Sequence, residues 1–163
     1  MSTSSRAAIV PLDRTDKHIL ALLQQQGDLS NLELADKVGL SPSPCSRRVK
    51  ALQDSGVIEG YRAHVSARKL GLDLLALIHI SMDKHTPERF AAFESAVDAC
   101  PEVLECYLIT GQSADYVLKV IVSDMEAFQQ LLLGTLTRIE GVSGVHSSFV
   151  MRKVIDRSAL PLD

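Results

Sequence analysis

A chain of 163 residues is long enough for one good core or two small ones. Its 46% hydrophobic content excludes wholesale disorder, and 4% aromatic content without tryptophan leaves aliphatic side chains to fill the interior. The net charge of −3 hides an asymmetry: Met1 to Leu70 carries ten Lys/Arg against seven Asp/Glu, so an anionic partner belongs to the N-terminal part.

Asp13 is placed to cap a first helix in which Ile19, Leu20 and Leu23 share one face, and Gly27 stops it. Ser30 and Glu33 form a capping box for a short second helix with Leu34, Ala35 and Val38 on its apolar side, ended by Gly39. Ser41 then stands at an N-cap with Pro42 at the first helical position, and a third helix runs to Gly56. At about 100° per residue Cys45, Val49 and Leu52 face the core, Ser43, Ser46, Arg47 and Lys50 point away, and Arg48 lies on the flank.

Two cations and two hydroxyls near a helix N-terminus suit an element lying in the major groove, so Ser43, Ser46, Arg47, Arg48 and Lys50 are candidate DNA contacts. A short capped helix and a tight glycine turn just before them make the unit a helix-turn-helix rather than an isolated solvated basic face. Val57 to Val65 reads as extended chain, a wing or a connecting strand, from which Arg62 and Arg68 either reach phosphates or stay solvated.

Leu75 to Asp83 alternates as a strand, with Ile78, Ile80 and Met82 on one face. Thr86 and Pro87 open a helix bearing Phe90, Phe93 and Val97. Val103 to Thr110 and Asp115 to Val122 form a hairpin around Gly111. Ser123 or Asp124 caps a helix whose Phe128, Leu131, Leu132, Leu136 and Ile139 share a face up to Gly141, and a last strand spans Val145 to Val154. The order βαββαβ is ferredoxin-like: helices cover one face of an antiparallel sheet, and a second copy is the simplest cover for the other. The expected class is therefore α+β. A tail occupies 1–11, a winged helix-turn-helix 12–56 with wing or linker strand 57–72, a ferredoxin-like oligomerisation domain 73–155, and a tail 156–163.

With both parts read, the chain resembles the Lrp/AsnC family of transcription regulators along nearly its whole length. The resemblance is carried by LDRTDKHILALLQQQGDLSNLELADKVGLSPSPCSRRVKALQDSGVIEGY at Leu12 to Tyr61, by the Gly111 to Tyr116 loop, and by DMEAFQQLLLGTLTRIEGV at Asp124 to Val142. It implies a DNA-binding regulator, not an enzyme, that pairs through its sheets into dimers and larger assemblies such as octamers. It also implies a small amino-acid effector held between dimers near the hairpin loop, which carries Gly111, Ser113, Asp115 and Tyr116 over as effector contacts. Loop amides can hold an α-carboxylate and Asp115 an α-ammonium. The loop departs from the family form Gly-x-x-Asp-Tyr, being one residue longer. In the alternative without effector, Gly111 makes a hairpin turn and Asp115 satisfies neighbouring backbone. A reading of another class makes the C-terminal part the amino-acid-sensing subunit of a metabolic enzyme.

Catalytic and metal chemistry find no candidates: there is no phosphate loop, no GxSxG elbow and no HxxxH spacing among the five histidines. No cofactor is expected. Cys45, Cys100 and Cys106 lack CxxC spacing and are expected as reduced, mostly buried thiols. Without a run of roughly 20 apolar residues or a basic, apolar leader, the expected location is cytoplasmic and away from membranes.

Overall fold

The computed structural model describes residues 9–111 and 114–162. They form two compact units, one built from the chain up to His64 together with the segment from Ile155, the other from Val65–Val154.

The first unit holds α1 (Arg14–Gln25), α2 (Asn31–Val38) and α3 (Pro42–Asp54). The expected cap at Asp13 and capping box at Ser30 both form, and Asp13 makes a capping box as well: Asp13 accepts from the Asp16 amide at 2.8 Å, and the Ser30 amide donates to Glu33 at 2.9 Å. Gly39 takes φ 70°, a left-handed turn that a side chain would strain, and so reverses the chain between α2 and α3. Ser41 occupies the N-cap of α3 without a side-chain hydrogen bond. The start of α3 is instead tied to α2 by the Asn31 amide, which donates to the Pro42 carbonyl at 2.9 Å. Ile19, Leu20, Leu34, Ala35, Cys45 and Leu52 make the core.

Two segments differ from expectation. Residues 59–66 run as irregular chain, followed by a 3₁₀ turn at Arg68–Leu70. The C-terminal segment, expected as a tail, returns to α1. The Gln24 side-chain amide donates to the Leu160 carbonyl at 3.2 Å and accepts from its N–H at 2.6 Å, and Leu162 packs on the core. One glutamine thus satisfies both backbone groups of Leu160, and no periodic pattern advertises that.

The second unit is β1 (Leu74–Met82), α4 (Pro87–Asp98), β2 (Val103–Leu108), β3 (Tyr116–Val122), α5 (Met125–Gly134) and β4 (Val142–Phe149). The sheet order β2-β3-β1-β4 is antiparallel throughout, with Ile78 opposite Leu118 and Ser147. Ile78, Ile80, Leu118 and Val120 pack against Phe93, Val97, Phe128, Leu131 and Leu136, all buried. The helix expected to continue to Gly141 stops at Gly134. A 3₁₀ turn at Leu136–Arg138 follows, because Gly134 and Thr135 are poor helix formers, and the tighter turn still buries Leu136. The opposite sheet face presents Leu75, Leu77, His79, Val117, Lys119 and Ile121, half-buried and covered by no helix of this unit.

Candidate DNA-binding face and effector loop

The face of α3 opposite the buried Cys45 and Leu52 exposes Ser43, Ser46, Arg47 and Lys50, and the helix carries no acidic residue before Asp54. The partial positive charge of the helix N-terminus adds to Arg47 and Lys50, so the surface can meet phosphates as well as base edges.

Arg48 departs from that set. Its Nη1 donates to Asp13 Oδ2 at 2.7 Å and to Asp16 Oδ1 at 2.8 Å, binding α3 to the cap of α1. The Asp16 amide and then the Arg48 guanidinium hold the Asp13 carboxyl below its usual range. With both carboxylates on it, Arg48 positions the helix in the chain without DNA. Sequence periodicity places it on the flank, and the two acids that claim it are visible only in the fold. Arg68 lies 3.8 Å from Asp73, a loose exposed pair.

At the other candidate site Gly111 is exposed, with φ 84°, at the tip of the β2-β3 hairpin. Gln112 and Ser113 lie outside the described residues. Asp115 is fixed on three sides: its N–H donates to the Ile80 carbonyl and its carbonyl accepts from Ile109, both at 2.8 Å, while Oδ2 accepts from the Met82 N–H at 2.7 Å. Oδ1 faces His85 Nε2 at 2.7 Å. His85 was not legible in the sequence, since only the alignment of Ile80 with Tyr116 across β1 and β3 brings it to Asp115.

Tyr116, carried over as an effector contact, has its side chain in the core. It is 1% exposed, packed at 4.6 Å and tilted by 38° against Phe93 and edge-on at 5.6 Å to Phe90, and its hydroxyl donates to Glu94 at 2.8 Å. Burial, and then the Glu94 carboxylate, push that hydroxyl far above its usual range. Tyr116 supports the loop from the core side. Nearby, Arg89 is held by Asp83 at 3.5 Å and, more closely, by Glu140. Of the thiols, Cys45 and Cys100 are buried as expected, but Cys106 is exposed because β2 is an edge strand.

An outward cationic helix on a helix-turn-helix unit, joined to a ferredoxin-like unit, defines the class: a DNA-binding regulator with a second, regulatory domain. Similarity to known proteins gives its family. The winged helix-turn-helix DNA-binding domain matches residues 12–59 and the Lrp/AsnC ligand binding domain residues 75–160. The Bkd operon transcriptional regulator of Pseudomonas aeruginosa is 42% identical, over 93% of this chain and 98% of that protein. The leucine-responsive regulatory protein of Escherichia coli is 42% identical, over 88% and 87% respectively. A transcriptional regulator of Neisseria meningitidis, solved in complex with L-methionine, is 41% identical with a TM-score of 0.90, over 94% and 98%. The chain belongs to the Lrp/AsnC family and is a DNA-binding transcriptional regulator, not an enzyme. The helix-turn-helix sets aside the sensing-subunit alternative.

Proposed function

We propose that Ser43, Ser46, Arg47 and Lys50 read duplex DNA and that a small aliphatic amino acid, bound at the Gly111 to Asp115 loop, controls how the chains assemble on it. The observation that carries the DNA reading is the division of α3 into a buried anchoring face and an exposed cationic one, with Arg48 assigned to anchoring. The half-buried sheet face of Leu75, Leu77, Val117 and Ile121 is the pairing surface for a second copy, and dimers associate further between their loops. A dimer then presents two α3 helices to successive major grooves about 34 Å apart. An effector shifts this assembly only through unequal affinity for its states. The place of action is the cytoplasm; among the described residues no helix is long and apolar enough to cross a membrane.

The L-methionine bound by the Neisseria relative and the leucine in the name of the Escherichia coli one support an amino-acid effector. Thermal melting of the full chain with each common amino acid, alongside light scattering for size, tests it. A rise in melting temperature with a change in size is expected. A second reading has one observation behind it: both Asp115 oxygens already have partners within the protein, as an effector-independent regulator requires. A panel without any shift selects that reading.

A further inference from the structure

His85 and Asp115 present to each other an N–H donor and a carboxylate, the complement of the two ends of a free amino acid. Resting on the effector reading above, we propose that the effector inserts between them. Its α-ammonium takes Asp115 Oδ1, its α-carboxylate takes the His85 imidazole N–H, and its side chain lies along Phe90.

Three observations carry this. First, only one oxygen of Asp115 is exchangeable. The residue's backbone is locked to Ile80 and Ile109, and Oδ2 is held by Met82 N–H, so Oδ1 remains in place when His85 leaves. The Asp115 side chain is 20% exposed, and a carboxylate partly withdrawn from water binds a cation more strongly than a solvated one. Second, His85 can move: its side chain is 68% exposed, and residues 84–86 lie in neither helix nor strand. Third, Arg89 of the neighbouring helix is already held by Asp83 and Glu140. The Phe90 ring, 6.0 Å from the His85 ring between centroids, supplies an apolar wall.

Selectivity follows from replacing what is broken. A simple amine satisfies Asp115 but leaves the exposed imidazole to water and gains nothing from it, and a simple carboxylate leaves the partly buried Asp115 Oδ1 without a donor. An α-amino acid restores both contacts. His85 is therefore a specificity residue for the zwitterionic head.

The test is calorimetric titration of the full chain with L-leucine and L-methionine. It is repeated with the primary amide and the decarboxylated amine of whichever binds, and with His85→Ala and His85→Gln. The parent is expected to bind the amino acid at least tenfold more tightly than the amide or amine. His85→Ala should lose at least tenfold, and His85→Gln, which keeps an N–H donor, should recover part of it. Circular dichroism reports whether each variant folds; the amide and amine comparison on the parent decides the matter even where a variant does not. If neither these two nor any other common amino acid binds the parent, the effector reading falls and this inference with it. If they bind but the amide and His85→Ala match the parent, only the role of His85 is overturned.

Discussion

The two units keep structural and functional duties apart to different degrees. On α3, consecutive residues divide them: Arg47 points outward while Arg48 is clamped to Asp13 and Asp16. At the hairpin loop of the second unit, the proposed site gives one residue both duties: the Asp115 carboxylate accepts from the Met82 backbone with one oxygen and faces His85 with the other. A helix has a period of 3.6 residues and can turn function to one side; a residue at the junction of a loop and three strands has no such second side. Truncation to alanine is accordingly a clean probe on α3 and a blunt one at the loop.

The largest expected effect is on DNA binding by Arg47→Ala combined with Lys50→Ala. If each side chain is worth about 1–3 kcal/mol, the pair weakens affinity by roughly thirtyfold or more, and the salt slope falls by about one for each phosphate no longer neutralised. Fluorescence anisotropy with duplexes selected from a random pool measures this, and the melting temperature should stay within about a degree of the parent. A large fall in stability alongside the weaker binding would show that α3 does not separate its duties after all.

Second in size is Asp115→Asn, which keeps an acceptor for the Met82 N–H while removing the charge. With an amino acid at a hundred times its dissociation constant, the parent gains about 2.7 kcal/mol of stability, and the variant should gain almost none. Its ligand-free melting temperature should exceed that of Asp115→Ala, which also strands a backbone N–H. An Asn variant that responds to effector like the parent would assign Asp115 to scaffolding alone.

The same contrast explains what could be read from the sequence. Three helices of the first unit and the βαββαβ order of the second were legible because buried residues such as Ile19, Leu34, Cys45, Ile78 and Leu118 recur at helical or strand period. The outward face of α3 was legible for the same reason. The partners of Arg48, the double hydrogen bond of Gln24 to Leu160 and the approach of His85 to Asp115 were not, since each joins polar residues distant in the chain. A motif marks the position of Tyr116 without saying which side of the sheet it faces; strand alternation places it with Leu118 and Val120 in the core.

Tyr116→Phe should have a smaller effect. The ring keeps its packing on Phe90 and Phe93, and only the hydrogen bond to Glu94 disappears. Glu94 is exposed and is rehydrated, so the cost is about 1 kcal/mol, a fall of roughly 4–8 °C in the melting of a unit this size. The effector affinity should be unchanged in titration; a tenfold loss would return Tyr116 to the binding surface.

The smallest effect is expected from Arg48→Ala, and it is the sharpest comparison with its neighbour. The ion pairs are partly solvent-exposed, with the Arg48 side chain at 36%, so the fall in melting temperature at neutral pH should be less than that of Tyr116→Phe. Its pH dependence has a definite sign. The Asp13 carboxyl titrates lower in the folded chain than its ordinary 3.8, so its contribution is fully present above that value and is lost as pH falls through the lower folded one. The gap between parent and Arg48→Ala should therefore hold from neutral pH to about 5 and close in stronger acid. The Asp16 amide still binds Asp13 in the variant, so some acid sensitivity persists without the arginine. DNA affinity, measured beside Arg47→Ala on the same duplexes, should change little, because a side chain already held by two carboxylates has no charge to offer a phosphate. A loss at Arg48 equal to that at Arg47 would mean that Asp13 and Asp16 release it on binding, and that even on α3 one residue carries both duties.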